Sequence, residues 1–298
     1  MSADTLWAAC VIAHDLLDRA DAAVAGEFGT MSALSADLLT LDRQGTDPSR
    51  VSRELRARGV RVNVLDPFLA WYPGWQPAPG SGPHVESQNI DEDSVLRFAD
   101  AIGAESMTVL TPFSGAAAPL PVVVDALGAF GDRARAHGLR LHLEVIPTSK
   151  APDLATGWEI VRQVDRDNVG LVLDMFHLAR ARTDPALLRS IAPEKIFHVQ
   201  LCDGSLVPRV PDYFEEAVTC RDFAGEGQLP VRELAQCLAD MGALGHVGPE
   251  VFSAELDRLP AAEAGAVCRA KTDAFMSTLT QRETRSADSR ALTSNHHG

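Results

Sequence analysis

The feature that most constrains this chain is an alternation: short runs of β-type apolar residues are followed repeatedly by longer stretches with apolar positions three and four residues apart. Strand-like runs read at Leu6–Ala13, Met31–Leu39, Val60–Leu65, Met107–Leu110, Leu139–Val145, Val169–Asp174, Ile196–Leu201 and His246–Val251. Helical spacing fills the gaps at His14–Phe28, Pro48–Arg58, Asp91–Ala101, Val122–His137, Leu154–Val164, Pro185–Ile191, Val231–Met241 and Ala261–Leu279. Roughly eight βα units with no linker between them predict one α/β domain over residues 1–280, a closed (β/α)8 TIM barrel. A doubly wound dinucleotide fold would carry a Gly-rich turn after its first strand, and none is present. Residues 281–298 lack periodicity and read as a disordered C-terminal tail.

Charge narrows the partners. Asp plus Glu number 41 against 27 Lys plus Arg, a net charge of −14 that repels a phosphate backbone and excludes nucleic acid as the expected partner. The five cysteines, Cys10, Cys202, Cys220, Cys237 and Cys268, are scattered and form no C-x-x-C pair, so the chain reads as reduced and cytoplasmic. Asp4 precedes the first apolar run and His14 and Asp15 close it, which is not a secretory leader. The longest uncharged stretch, Ser106–Val124, is broken by Pro112, Pro119 and Pro121, so no membrane partner is expected. A small-molecule substrate is the expected partner, and a homo-oligomer is compatible with the sequence.

In a barrel the chemistry sits where strands end and βα loops begin. Four strand-like runs end in Glu144, Asp174, Gln200 and Glu250. Any one such acid is more often a helix cap than a functional group. Together, embedded among Leu, Val, Ile, Phe and Met, the three acids need a cation or protonation to be buried. Three carboxylates and a carboxamide offer oxygen alone, which suits Mg2+ or Mn2+ better than Zn2+. His142 and His198 precede Glu144 and Gln200 by two residues and so share their inner face one layer deeper, as core groups or as supports beneath a metal. His177, just past Asp174, is placed to reach across the mouth.

The loop after the third strand gathers Phe68, Trp71, Tyr72 and Trp75 in a chain that is only 6% aromatic. It reads equally as a proline-pinned rim or dimer contact and as a substrate lid in which Trp71 and Trp75 touch the ligand. No Gly-rich phosphate cradle is evident, and Gly225-Glu226-Gly227 sets an acid where an anion would approach. Arg221, followed by Lys150 and Arg180, is the cation best suited to bind a substrate carboxylate.

The motifs LEVIP, NVGLVLDMFHLAR, HVQLCDG, CRDFAGEGQLP and PEVFS, in this order, resemble those of the xylose isomerase-like TIM barrels, over about Leu6 to Leu279. That family includes sugar-phosphate isomerases and epimerases, hydroxypyruvate isomerase and 3-dehydroshikimate dehydratase. The resemblance implies one divalent cation (Mg2+ or Mn2+, with Co2+ as a further option) held by Glu144, Asp174, Gln200 and Glu250, and substrate contacts from His177 and Arg221. Glu144 and Glu250 are then the acid/base pair for proton abstraction beside a carbonyl. The family more often carries His at the position of Gln200; its hydroxypyruvate isomerase and dehydroshikimate dehydratase branches resemble this chain in using Gln. The expected activity is therefore an isomerase or epimerase acting on a small keto-sugar or hydroxy-keto acid, with a dehydratase as the alternative and a non-catalytic metal-binding barrel as the third reading. The related DNA-repair endonucleases need a His-rich multi-metal cluster and a basic face, neither of which this chain has.

Overall fold

The computed structural model describes residues 4–77, 85–86 and 89–280. Eight parallel strands pair in sequence order: β1 (Thr5–Leu6), β2 (Thr30–Leu34), β3 (Arg61–Phe68), β4 (Ser106–Val109), β5 (Arg140–Glu144), β6 (Val169–Asp174), β7 (Ile196–Leu201) and β8 (Val247–Pro249). The seam between β8 and β1 is bridged by the Asp4 amide, which donates to the Val247 carbonyl at 2.9 Å. The result is the expected (β/α)8 barrel. Around it lie α1 (Leu16–Ala25), α2 (Ser35–Arg43), α3 (Pro48–Ala57), α4 (Glu92–Ile102), α5 (Leu120–Ala136), α6 (Leu154–Val164), α7 (Met175–Arg180), α8 (Pro185–Ser190), α9 (Tyr213–Thr219), α10 (Val231–Met241) and α11 (Ala261–Met276).

The helices begin where the sequence supplies a carboxylate. Asp15, Asp47, Asp91, Asp153, Asp184 and Asp212 each accept a hydrogen bond from an amide of the following first turn. Each such cap is worth about 1 kcal/mol. Six of the aspartates thus serve helix starts. Behind its Asp91 cap, α4 buries Val95, Leu96, Phe98, Ala99 and Ile102 on one face, and Gly103 ends it in the left-handed conformation at φ 81°.

The first three strands depart from the sequence reading. The run Leu6–Ala13 supplies only two strand residues, and Ala8–Val11 coils into a 3-10 turn because the Ala8 amide donates to Ser32 Oγ at 2.8 Å. Its apolar character reflects burial of that turn, not a longer strand. The run Met31–Leu39 splits at Leu34: Asp37 turns back to accept from the Leu34 amide and pairs with Arg19, both at 2.8 Å, so Ser35 opens a helix. The third strand also runs on past Leu65 to Phe68. The tail at 281–298 lies outside the described residues.

Inside the barrel, side chains fill successive layers. Trp7, Val64 and Val172 pack together, and the His142 and His198 rings lie 4.9 Å apart with Trp7 edge-on to both. The Ser106 hydroxyl sits between the two imidazoles, 3.2 Å from His142 Nε2 and 3.4 Å from His198 Nε2. The β8–β1 seam closes only because β8 carries a glycine: a Cβ at Gly248 would lie 1.7 Å from the Thr5 carbonyl oxygen and 3.3 Å from the Trp7 indole. Gly248→Ala is expected to lower stability by at least about 2 kcal/mol, since backbone must move to relieve the overlap. Gly245→Ala, where no atom lies within 4 Å, should change it by less than about 0.5 kcal/mol. Urea denaturation of both variants checks this, and equal midpoints would refute the seam's role.

Candidate metal centre and active site

The layer above the histidines is the polar floor of a cavity. By the two-residue period of a strand, His142 leads to Glu144, Val172 to Asp174 and His198 to Gln200, all on the inner face. Glu250 follows β8 directly, its amide donating to the Leu201 carbonyl at 3.0 Å. All four are buried, Gln200 completely and Asp174 to 1% exposure. Glu144 and Glu250 face a cavity of about 100 Å³, together with Asp66, Thr148, His177, Tyr213 and Arg221. Its walls are apolar, formed by Leu34, Leu110, Phe113, Ile146, Phe214 and Phe252.

Asp174 has two duties. Its Oδ1 accepts the His177 amide at 2.9 Å and so caps α7, which is the bland role a strand-end acid usually has. Its Oδ2 accepts from Arg221 Nη1 at 2.5 Å, and the same nitrogen lies 3.2 Å from Glu250 Oε2. Arg221 is itself buried, with Nε donating to the Ala217 carbonyl at 2.6 Å and its guanidinium 5.1 Å from the ring centroids of both Phe176 and Phe252. It is thus a structural counter-ion of the floor as well as a wall of the cavity.

His177, expected as a substrate contact, joins the floor more closely than that. Glu144, Asp174 and His177 each offer a ligand atom, all within 4.8 Å of one another. The hydrogen bonds define the imidazole tautomer. Arg221 Nη2, which can only donate, lies 3.3 Å from His177 Nε2, so Nε2 is the acceptor and Nδ1 carries the proton, donated to Tyr213 Oη at 2.6 Å. Glu144 Oε1 lies 3.6 Å from the same Nε2.

Gln200 supplies a further mark of a cation site. Its Nε2 donates to Glu250 Oε1 at 2.8 Å, while its Oε1 is buried without a hydrogen-bond partner among the described residues. A carboxamide oxygen left in this way costs about 1–3 kcal/mol unless something electropositive meets it. The donor set fits a divalent cation; with His177 Nε2 added to the oxygens, the argument from oxygen alone no longer separates Mg2+ or Mn2+ from Co2+ or Zn2+.

Burial and crowding divide the charges. Burial, then the neighbouring Asp174 carboxylate, pushes Glu144 well above the ordinary Glu range. Burial likewise raises Glu250, against the pull of Arg221. Burial also opposes ionisation of Asp174, but Arg221 and His177 outweigh it and hold the carboxyl well below its usual range. His177 is pushed down to about 4, chiefly by burial, and is neutral at pH 7.

Of the two readings of the aromatic loop, rim and lid, the described rings are placed as the rim reading has them. Phe68 is buried against Phe130, and Trp71 is buried with its Nε1 donating to the Leu110 carbonyl at 2.9 Å. The Tyr72 hydroxyl accepts the Ala118 amide at 3.1 Å. These rings anchor the rim, and Trp71 does not line the cavity. Trp75 stands one layer behind it, packed on Leu110 and Ile146. Residues 78–84 and 87–88 of this loop lie outside the described residues. Arg180 is committed elsewhere, to Glu216 and the Ser205 carbonyl. Sequence reasoning missed Asp66 and Tyr213: the first carried the same strand-end signal as the other acids, two residues past inward Val64, whereas nothing local ties Tyr213 to His177.

A family model for xylose isomerase-like TIM barrels matches residues 22–271. Among curated proteins, the chain is 27% identical over 244 residues to 3-dehydroshikimate dehydratase of Pseudomonas aeruginosa, spanning 80% of this chain and 36% of that protein. It is 31% identical over 143 residues to inosose isomerase of Bacillus subtilis, spanning 47% of this chain and 50% of that one. The chain therefore covers only about a third to a half of the length of these relatives. Among solved structures, the IOLI protein with a bound zinc atom superposes with a TM-score of 0.77 at 19% identity, over 95% of this chain and 100% of that one. The probable 3-DHS dehydratase of Bacillus anthracis gives 0.66 at 15%, over 89% and 98%. At these identities the two structures speak for the fold alone. The extent of the family match and the geometry agree: the chain belongs to the xylose isomerase-like TIM-barrel family.

Proposed function

We propose that this chain is a divalent-metal-dependent enzyme that removes a proton from the carbon beside a carbonyl in a small hydroxylated ketone. The observation that carries this is two raised carboxyl groups, Glu144 and Glu250, facing one cavity from β5 and β8 across a buried arginine–aspartate pair. Glu144, Asp174, Gln200 and Glu250 would hold the cation, Mg2+, Mn2+ or Co2+, with His177 Nε2 as a further donor. When bound, such a cation draws electron density from the substrate carbonyl and acidifies the neighbouring C–H. Glu144 on one side takes the proton and Glu250 on the other returns it, which isomerises or epimerises the substrate. His177 and Arg221 orient the oxygens, and the apolar walls exclude water from the carbanionic face.

An anionic phosphate on the substrate is not favoured. The loop amides of Gly204, Gly225 and Leu229 are not free to cradle one, because they donate to the Asp203 carboxylate at 2.7 to 3.1 Å. A second reading, elimination of water from the same carbanion, has its own support: the dehydratase relative of Pseudomonas aeruginosa aligns with 80% of the chain, the inosose isomerase with 47%. The residual walls are also poor in hydrogen-bonding groups for a fully hydroxylated sugar.

Two expected outcomes test the common step. Glu144→Gln and Glu250→Gln should each lower turnover by about 10²- to 10⁴-fold while the circular dichroism melt is unchanged or raised, because buried repulsion is relieved. Deuterium incorporation beside the carbonyl, with hydroxypyruvate, ketohexoses, an inosose and 3-dehydroshikimate as the panel, reads the abstraction itself; a variant with wild-type exchange removes that residue's role. Metal uptake should also be linked to protons. Glu144 and Glu250 hold protons more tightly folded than unfolded, so the metal-free protein loses stability as pH rises from their ordinary 4.5 towards their raised values. A cation must displace those protons. Mn2+ binding followed by calorimetry in buffers of different ionisation enthalpy should release about one to two protons per ion, with the thermal shift on binding growing as pH rises. Proton-neutral, pH-independent binding would contradict it.

A further inference from the structure

Asp66 is the one carboxyl group on the cavity wall that the mechanism above does not use. It lies on β3, two strands from the β5 of Glu144 and four from β7 in the eight-stranded ring, and lines the same cavity as Glu144 and Glu250. The ordinary duties of an aspartate do not explain it. It caps no helix, because Pro67 follows in the same strand and α4 has its own cap in Asp91. It is not the partner of the nearby arginine, whose donors go to Ala217, Asp174, Glu250, Cys202 and His177. Its position is nevertheless well determined: Asp66 registers with Leu34, and Ser35 Oγ donates to the next carbonyl, that of Pro67, at 2.7 Å.

We propose that Asp66 is a further catalytic residue, the acid that protonates a departing β-hydroxyl on the side of the substrate turned away from the carboxylates of β5 to β8. The proposal rests on the proton-abstraction reading and takes its elimination branch. The step balances without an outside oxidant or reductant. The base on the floor takes the proton beside the carbonyl, and the C–H electron pair becomes the new C=C bond. The β C–O bond breaks with its pair on oxygen, the Asp66 O–H proton joins that oxygen, and water leaves. Asp66 ends as a carboxylate and the base ends protonated; both return through solvent.

The environment suits this duty. Burial raises the Asp66 carboxyl to about 6, against the opposing effects of the Thr108 hydroxyl and the Arg221 charge, with Asp174 adding to the rise. The walls on either side, Leu34, Pro67 and Leu110, offer no competing acid. In isomerisation or epimerisation no C–O bond breaks, so the step assigned to Asp66 belongs to the elimination branch alone.

The test uses the full chain with Mn2+ and 3-dehydroshikimate, a ketone with a β-hydroxyl whose dehydration is followed by ultraviolet absorbance. Asp66→Asn should slow elimination at least 100-fold while deuterium exchange beside the carbonyl stays within about threefold of wild type, since abstraction precedes loss of the hydroxyl. Its Mn2+ affinity should stay within twofold, and Asp66→Glu should restore elimination to within tenfold. Elimination by Asp66→Asn at the wild-type rate would overturn the role of Asp66 and leave the abstraction reading intact. Loss of exchange and Mn2+ binding together in Asp66→Asn would make Asp66 a supporter of the metal floor instead and overturn the proposal. A wild-type protein that neither exchanges nor eliminates with this substrate or with other β-hydroxy ketones would overturn the reading on which the proposal stands.

Discussion

Negative charge buried at the barrel mouth is the constraint on which the site depends. Asp66, Glu144, Asp174 and Glu250 converge there, and among the described residues lining the cavity Arg221 is the one permanent cation. One guanidinium cannot neutralise four carboxyl groups. The metal-free protein resolves the imbalance by concentrating ionisation on Asp174, which touches Arg221, and leaving Glu144, Glu250 and Asp66 inclined to keep their protons. That distribution suits the proposed floor, which needs both ligands for a cation and carboxyl groups that give up and take back protons more readily than solvated acids do.

The fold carries this arrangement at a cost in stability. Gln200 Oε1 and the Nδ1 atoms of His142 and His198 are buried with no partner among the described residues, one layer apart beneath the mouth. Burial holds His198 down at about 3 and His142 well below its ordinary range, so the layer beneath the site is neutral and adds no competing positive charge. Such groups would be replaced by aliphatic side chains in a barrel selected for stability alone. Their retention fits a floor built for an occupant, and the capped helices and glycine-sealed seam supply the rigidity that holds it in place.

How far the sequence reveals this follows from the range of each contact. The barrel was legible because strand and helix periods alternate eight times, and Glu144, Asp174 and Gln200 because a regular strand of period two sends alternate residues inward from His142, Val172 and His198. Asp66 obeyed the same rule, but Pro67 made the strand seem to end at Leu65 and moved the acid into a loop. For Trp71 the sequence left rim and lid open: a ring in a Pro/Gly-rich loop has no period to announce burial, and its hydrogen bond to Leu110 crosses 39 residues. The pairing of Tyr213 with His177 crosses 36 residues between two short helices and leaves no local trace. Asp174 caps a helix and pairs with Arg221 at once, so the cap reading of a strand-end acid does not exclude a second duty for the same residue.

The central claim, that this floor receives one divalent cation, is tested most directly by anomalous diffraction at the manganese edge from crystals grown with Mn2+. The account predicts one strong peak within roughly 2.0 to 2.6 Å of oxygens from Glu144, Asp174, Glu250 and the presently unpartnered Gln200 Oε1. Absence of a peak at the floor, with Gln200 Oε1 still unpartnered and Manganese bound only at surface carboxylates, would contradict it.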